Sequence, residues 1–320
     1  MSPSWARVAR WGVALAVIGV LISFVDLGAI GQRLAGTDLR LAVPAVVGLV
    51  FVHVVAATAW RRLLGELAEV SLGWIPTLRL YYAAQVFGTV TPANVGADVY
   101  RVLAVGADAS RAQLARPVIV QRLTSVAAIV CLGVAGGIAL PIPWLRPFLV
   151  VAAIVGAIAA SVTVAAVGPA AIGGRLDPLA RRLGWSGAPA SPASRLRSAA
   201  RDGFLLGLVF HTISLLLGLA LVRAVDPDAA AQPLIVLGAL AVARLSLAIP
   251  ISPNGIGIQE GLLTVLFVQL GLPADTAIAA ALLNRVGFLL TAAVGAVALV
   301  APRDSSTVPV QRASRPPAHG

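Results

Sequence analysis

Long apolar runs alternate with short polar segments along the chain. Six of the runs approach the roughly 20 apolar residues that a helix needs to cross the hydrocarbon core of a membrane. They cover residues 11–30, 41–60, 118–140, 148–172, 203–222 and 274–300. The first run follows two arginines, as in a signal peptide, but no convincing small-residue cleavage site comes after it. The pattern therefore predicts six membrane-spanning helices.

Two further apolar stretches, 75–105 and 233–272, are interrupted in the middle by Pro, Asn and Gly, which disfavour a continuous helix. The breaking residues are Pro92, Asn94 and Gly96 in the first stretch and Pro253, Asn254, Gly255 and Gly257 in the second. Non-helical backbone at membrane depth is tolerated only where it is buried in protein or lines a water-filled cavity. Both breaks therefore indicate a functional region.

The arginines outside the apolar runs fall mainly in one set of loops. They precede the first run, follow 41–60, precede 118–140, fill the segment 173–202 and recur after residue 302. Loops rich in Lys and Arg stay in the cytoplasm, so both termini and the loop 173–202 are expected there. On this orientation each broken stretch enters and leaves on one side, which predicts two re-entrant hairpins. The arms of the second, 233–249 and 258–272, are long enough to leave a full crossing open.

Composition agrees with this interpretation, since 59% of the residues are hydrophobic and 12% are charged, against about 25% charged in soluble domains. The predicted fold is an all-α polytopic membrane protein with about six spanning helices and two broken or re-entrant hairpins. One membrane domain covers 1–302, and 303–320 is expected to be a disordered cytoplasmic tail because it is rich in Ser, Pro and Arg. Topology accounts for most of the net charge of +11, so no nucleic-acid partner is expected.

The two broken stretches share an order of residues. In each, a Pro is followed by an Asn, a Gly, an acid (Asp98 or Glu260) and, in the next apolar run, an arginine (Arg122 or Arg285). With opposite orientations, the halves 75–140 and 233–300 form a possible inverted repeat, the plan of many secondary transporters. Chance similarity is the alternative, because few residues match.

Charged residues at membrane depth are the main functional candidates, because each costs about 2.5 to 3.5 kcal/mol on insertion scales and usually faces the protein interior. We expect four arginines to bind an anionic headgroup, since guanidinium groups bind phosphate bidentately, and two acids to gate the site or couple an ion. They are Arg101, Arg122, Arg244 and Arg285, and Asp98 and Glu260. The alternative is internal ion pairs, such as Arg122 with Asp98 or Arg285 with Glu260, that only hold helices together.

No catalytic, metal or cofactor motif is found. His53 and His211 stand singly within apolar runs, without a second His or carboxylate three or four residues on, which argues against metal ligation. Phosphate-binding loops and the zinc-protease and serine-hydrolase motifs are also missing from the sequence. We therefore expect a protein that is not an enzyme and needs no cofactor.

Four segments carry a resemblance to a known family. They read TPANVGADVYR at 91–101, QR at 121–122, IPISPNGIGIQEG at 249–261 and NR at 284–285. In these segments the chain resembles the transmembrane, flippase-like region of lysylphosphatidylglycerol synthases and its stand-alone relatives. The resemblance places Asp98, Arg101 and Glu260 on the family's motif residues and Arg122 and Arg285 on its intramembrane arginines. Two positions depart from the family pattern: Gln121 replaces the usual acid before Arg122, and Ser125 or a neighbour replaces an Asp.

The resemblance implies a translocase in a bacterial plasma membrane that moves an anionic or modified phospholipid, or a polyprenyl-phosphate-linked headgroup. Full-length synthases attach the amino acid with a soluble domain, whereas the longest polar stretch here, 173–202, is too short to hold one. A separate lipid-modifying enzyme or glycosyltransferase is therefore an expected partner. The alternatives are a polyprenyl-phosphate-dependent glycosyltransferase, disfavoured by the few acids in the predicted external loops, and a non-transporting scaffold for such an enzyme.

Overall fold

Helices make up nearly all of the computed structural model, which describes residues 27–89, 91, 94–106, 109–167, 193–246, 257–301 and 311–312. The helices of this part of the chain are α1 Leu27–Ala35, α2 Leu39–Phe51, α3 His53–Ala68, α4 Trp74–Thr89, α5 Val95–Ala104, α6 Arg111–Ile138, α7 Leu145–Val167, α8 Ala193–Val225, α9 Pro233–Leu245, α10 Ile258–Gln269 and α11 Ala274–Val300. A short 3₁₀ helix spans Ala229–Ala231. Strands β1 Val70–Ser71 and β2 Gln311–Arg312 pair antiparallel.

Four helical segments among the described residues are long and apolar enough to cross a membrane. They are Leu39–Ala68, Arg111–Ile138, Ser194–Val225 and Ala274–Val300. Each coincides with one predicted span, although the predicted span 118–140 runs two residues past Ile138. The prediction of an all-α polytopic membrane protein is confirmed. The predicted span 148–172 coincides with α7 as far as Val167, and the predicted span 11–30 lies outside the described residues except for the start of α1.

The first broken stretch forms two helices, α4 and α5, joined by a tight turn. Thr91 ties the turn together, because its hydroxyl donates to the Phe87 carbonyl (2.9 Å) and accepts from the Gly96 N–H (2.8 Å). Asn94 adopts a left-handed conformation with φ of 61°. A Cβ atom at Gly96 would lie 2.5 Å from the Phe87 carbonyl oxygen, so only glycine fits there. Pro92 lies outside the described residues.

The second broken stretch also forms two helices, α9 and α10. Pro253, Asn254 and Gly255 belong to 247–256, which is outside the described residues. Gly257 precedes α10 with φ of 82°, and its N–H donates to the Glu260 carboxylate at 2.8 Å. Glu260 thus satisfies a backbone donor at the helix start, where such donors lack intrahelical partners.

The central element is α8, which has 33 residues and is therefore about 50 Å long. It packs against α2, α3, α6, α7, α9 and α11. Glycines bring other helices together at backbone distance. A Cβ atom at Gly295 of α11 would lie 2.1 Å from the Tyr82 carbonyl oxygen of α4, and one at Gly136 of α6 would lie 2.9 Å from the Gly238 Cα of α9.

The polar loops gather at two opposite ends of the helices. At one end, Arg33 forms ion pairs with Asp226 (2.9 Å) and Asp275 (2.8 Å). At the other end, Arg62 pairs with Asp202 (3.0 Å) and Arg195 pairs with Glu69 (2.7 Å). The first end collects loops predicted to be external, and the second collects loops predicted to be cytoplasmic.

The predicted disordered tail lies mainly in 302–310 and 313–320, outside the described residues. Gln311 and Arg312 form β2, whose partner β1 follows α3. The strand pairing thus lies at the end of the helices that is predicted to be cytoplasmic, and disorder of the rest of the tail stays a prediction.

Candidate functional site

A cavity of about 260 Å³ lies among α3, α4, α5, α6 and α8, with one residue from α9 and two from α11 closing it. Its walls carry an unusual number of polar side chains for the interior of an apolar helix bundle. The polar lining comprises His53, Gln85, Thr89, Asn94, Asp98, Arg101, Gln121, Arg122, Ser125, His211, Arg244 and Thr291. Three of the four predicted headgroup-binding arginines therefore share one cavity.

Asp98 is the one carboxylate that the described lining contributes, and two arginines share it. It stands in the first turn of α5, directly after the break. Its Oδ1 accepts from Arg101 Nη2 at 2.5 Å, and its Oδ2 accepts from Arg122 Nη1 on α6. The ion pair between Arg122 and Asp98, which the sequence predicts as the alternative to headgroup binding, is present in the structure.

Arg101 is enclosed on every side. Its guanidinium carbon lies 5.6 Å from the centre of the Trp60 ring and 5.3 Å from that of the Tyr81 ring. Its Nη1 donates to Gln121 Oε1 at 2.5 Å, and Gln121 in turn donates to the Ala56 carbonyl at 2.7 Å. Only 7% of the Arg101 side chain is exposed, against 36% of Arg122. Arg101 therefore positions Asp98 and Gln121, whereas Arg122 presents its charge to the cavity.

Arg244, near the end of α9, is 6% exposed. Its Nη2 donates to the Ser214 carbonyl at 3.3 Å, and no carboxylate of the described residues pairs with it. It lines the main cavity and two further cavities of about 20 Å³ each. Arg244 is consequently a buried cation at the junction of three spaces.

Glu260 and Arg285 form the second ion pair that the sequence predicts, with side chains 15% and 16% exposed. Glu260 belongs to the first turn of α10, and Arg285 lies on α11. Neither residue lines the main cavity: Glu260 lines a small cavity beside Arg244, and Arg285 lies against Phe288, 5.6 Å from its ring centre. Phe288 itself faces the main cavity. The Asp98 group and the Glu260–Arg285 pair are therefore neighbours, and Phe288 lies between Arg285 and the main cavity.

The two pairs are built alike. Each acid stands in the first turn of the helix after a break. Its arginine comes 24 residues later in the first pair and 25 residues later in the second, on the long helix that follows. The order of break, acid and arginine that the sequence shows twice thus has the same spatial form twice.

Sequence reasoning missed the part that the histidines take in this cavity. His211 Nε2 lies 3.0 Å from Ser125 Oγ, and His53 Nδ1 lies 3.0 Å from the Leu49 carbonyl oxygen. Ser125 and His211 are too far apart in sequence for any spacing to indicate their contact. No cluster of three His, Cys, Asp or Glu side chains that could hold a metal occurs in the described residues.

The comparison with known families agrees with these motifs. The model of the family described as "Lysylphosphatidylglycerol synthase TM region" matches residues 8–295. The chain belongs to this family. The match includes both helix breaks and every residue that lines the cavity. No curated protein matches the chain. Family membership supports a membrane lipid-related role.

Proposed function

We propose that this protein is a flippase-like lipid translocase of a bacterial plasma membrane. The headgroup, an anionic or modified phospholipid or a polyprenyl-phosphate-linked group, enters the main cavity while the acyl or prenyl chains stay in the bilayer. The observation that carries this proposal is the cavity with three arginines and one aspartate in its walls. Arg122 stands 11 residues into α6, about 17 Å along the helix, which is close to the middle of a membrane core.

Helix lengths support two re-entrant hairpins as the frame of the translocation path. The arms α9 and α10 have 13 and 12 residues, well short of the roughly 20 that a crossing requires. The arms α4 and α5 have 16 and 10. Together with the repeated acid–arginine arrangement, these short arms favour an inverted repeat over chance similarity.

The ion pairs give the proposed gate. When no headgroup is bound, Asp98 pairs with Arg122 and Glu260 pairs with Arg285. When a headgroup enters, its phosphate replaces the carboxylate as the partner of the guanidinium group. This exchange keeps each arginine paired throughout, which avoids the cost of an isolated charge inside the protein. Without an ATP-binding motif, movement is facilitated or coupled to an ion, and the lipid is made or modified by a separate enzyme.

Transport by the purified protein in liposomes tests the proposal. Phosphatidylglycerol that carries a fluorophore on an acyl chain is incorporated, and dithionite quenches the fluorophores that reach the outer leaflet. We expect Arg122→Gln, Arg285→Ala and Glu260→Ala to lower the rate about tenfold or more, because a hydrogen bond to a charged group contributes about 1.5 to 3 kcal/mol. Arg195→Gln is the matched control, since the Arg195 pair lies on the surface.

Unchanged rates in all three variants would contradict the roles given to these residues. A wild-type protein that moves no lipid in liposomes would instead favour a scaffold for another enzyme. Release of glycosyl or aminoacyl product from a lipid donor would identify an enzyme.

A further inference from the structure

We propose that the cavity of this protein selects lipids whose headgroup carries a phosphate but no ammonium group. This selectivity rests on the proposed translocation and narrows its substrate class to anionic lipids, excluding aminoacylated and amine-bearing ones. Three observations carry it: the charge balance of the lining, the surroundings of Arg244, and the neutral residues at positions 121 and 125.

The charges that line the cavity are unbalanced. Asp98 faces Arg101, Arg122 and Arg244, so the ionised lining carries an excess of two positive charges. Both oxygens of Asp98 already accept from arginines. The single negative charge of a lipid phosphodiester in this cavity would lower the excess from two to one, whereas an ammonium group would increase the excess.

The surroundings of Arg244 are those of a residue that binds an anion. Only 6% of Arg244 is exposed, and its hydrogen-bond partner is the neutral backbone carbonyl of Ser214. Buried charges in proteins are normally paired with an opposite charge. The undescribed segment next to it in sequence, 247–256, contains no Asp or Glu that could supply one. A phosphate group has the charge and the acceptor geometry that a guanidinium requires.

An ammonium group would find no free carboxylate in the described lining. The neutral acceptors near Arg122 are also engaged, because Gln121 Oε1 accepts from Arg101 and Ser125 contacts His211. Repulsion between like charges in a confined site is a strong means of rejecting a ligand. The site therefore discriminates against the amine itself and not against headgroup size.

The side chains at positions 121 and 125 set the net charge of the cavity lining. Both lie on α6 in the cavity wall, and both carry uncharged side chains in this chain. Gln121→Glu together with Ser125→Asp would place two carboxylates in the wall and bring the formal charge of the lining from an excess of two to zero. The double variant is thus a gain-of-function test, in which Gln121→Glu also removes the amide that donates to the Ala56 carbonyl.

The decisive experiment compares two lipids that differ only in the amine. Phosphatidylethanolamine and N-acetyl-phosphatidylethanolamine, each with a fluorophore on an acyl chain, are tested for movement in liposomes and for binding to the purified protein in detergent. We expect the N-acetyl lipid to bind and to move about tenfold better or more, since like-charge contact costs several kcal/mol. Phosphatidylglycerol should behave like the N-acetyl lipid, and lysyl-phosphatidylglycerol like phosphatidylethanolamine.

Variants of the cavity residues test whether the lipid preference arises in this cavity. Gln121→Glu with Ser125→Asp should reduce the preference at least about tenfold, because two carboxylates can accept the ammonium. Arg244→Gln should weaken binding of the N-acetyl lipid, and Arg244→Lys should retain most of it. Arg195→Gln is the control and should leave the preference unchanged.

The outcomes separate this inference from the proposed function. Selective binding without movement supports the inference and contradicts translocation. Equal binding of both lipids, with or without movement, overturns the inference. Inorganic phosphate is included as a competitor: if it binds as well as the N-acetyl lipid, the site takes free phosphate and the lipid assignment is wrong.

Discussion

At the scale of single residues, the two arginines that share Asp98 are held in different ways. Arg101 lies against the rings of both Trp60 and Tyr81 and uses both ends of its planar fork. Arg122 contacts the same carboxylate from α6 and keeps 36% of its side chain exposed. One arginine therefore fixes the carboxylate in place, and the other can exchange partners.

This difference predicts that substitution by lysine destabilises the protein at position 101 but not at position 122. Arg101→Lys should lower the free energy of unfolding by about 1 to 3 kcal/mol, because an ammonium cannot bridge Asp98 and Gln121 while stacking on two rings. Arg122→Lys should leave stability nearly unchanged. Thermal unfolding of the purified variants in detergent measures both, and equal losses would contradict the separate roles.

A second residue-scale prediction concerns Asp226, outside the spanning helices. Burial alone raises the pKa of Asp226, but hydrogen bonds from the Ala229 N–H and the Thr276 hydroxyl, together with the charge of Arg33, outweigh it, so the pKa lies below its ordinary value of 3.8. The ionised carboxylate therefore stabilises the fold at pH values above 3.8, and this stabilisation is lost as the pH falls through the lower folded-state pKa.

Asp226→Asn should accordingly lower the free energy of unfolding at pH 7 by about 1.5 to 3 kcal/mol. The difference between wild type and variant should stay constant down to about pH 5 and close below about pH 4. Melting temperatures of both proteins across this range provide the measurement. A difference that grows toward acid pH would contradict the assignment.

At the scale of elements, glycines set the distances between helices. The α4–α11 contact depends on Gly295, where even one methyl group would meet a backbone carbonyl that cannot rotate away. Since α4 carries Tyr81 against Arg101 and α11 carries Arg285, this contact also fixes the two charged groups relative to each other.

Gly295→Ala should therefore destabilise the protein by about 1 to 3 kcal/mol through overpacking and should slow lipid movement. Gly65→Ala is a matched control, because a Cβ at Gly65 would meet nothing within 4 Å and alanine favours the helix by about 0.5 to 1 kcal/mol. Unfolding midpoints compare the two variants. Similar midpoints would show that α4 and α11 can separate without cost.

Helices and breaks could be predicted from the sequence because each depends on residues close together in the chain. The predicted broken stretch 75–105 forms α4 Trp74–Thr89 and α5 Val95–Ala104 on either side of its break. The pairs Asp98–Arg122 and Glu260–Arg285 were among the predicted alternatives for the same reason. The grouping of charges was not predictable, since Arg244 reaches the Asp98 cavity from a distant helix while Arg285 stays behind Phe288. That grouping depends on how helices cross, which no local pattern encodes.

At the scale of the whole molecule, the two sets of loops end on opposite sides of the bundle, with acids around Arg33 on one side and arginines around Asp202 on the other. Arginine-rich loops stay in the cytoplasm, which predicts that the side around Asp202 is cytoplasmic. The interior cavity, with its excess of positive charge, lies between these two surfaces.

Labelling of single cysteines tests this orientation. Cys131 is the one cysteine in the chain, so Cys131→Ala provides a background without thiols. In it, a membrane-impermeant maleimide applied to intact cells should label Asp228→Cys and should label Ser194→Cys only after lysis. Both positions are exposed. The reverse pattern would invert the topology.

The continuity of α8 links the two surfaces mechanically. Its 33 residues run without a break from the Arg195 pair at one end to the last turn before Asp226 at the other. Between these ends, the Ser214 carbonyl holds Arg244. An axial shift of α8 by a single residue, about 1.5 Å, would change the Ser214–Arg244 and Arg33–Asp226 contacts together. The two ends of the molecule are thus mechanically coupled as long as α8 moves as a rigid rod.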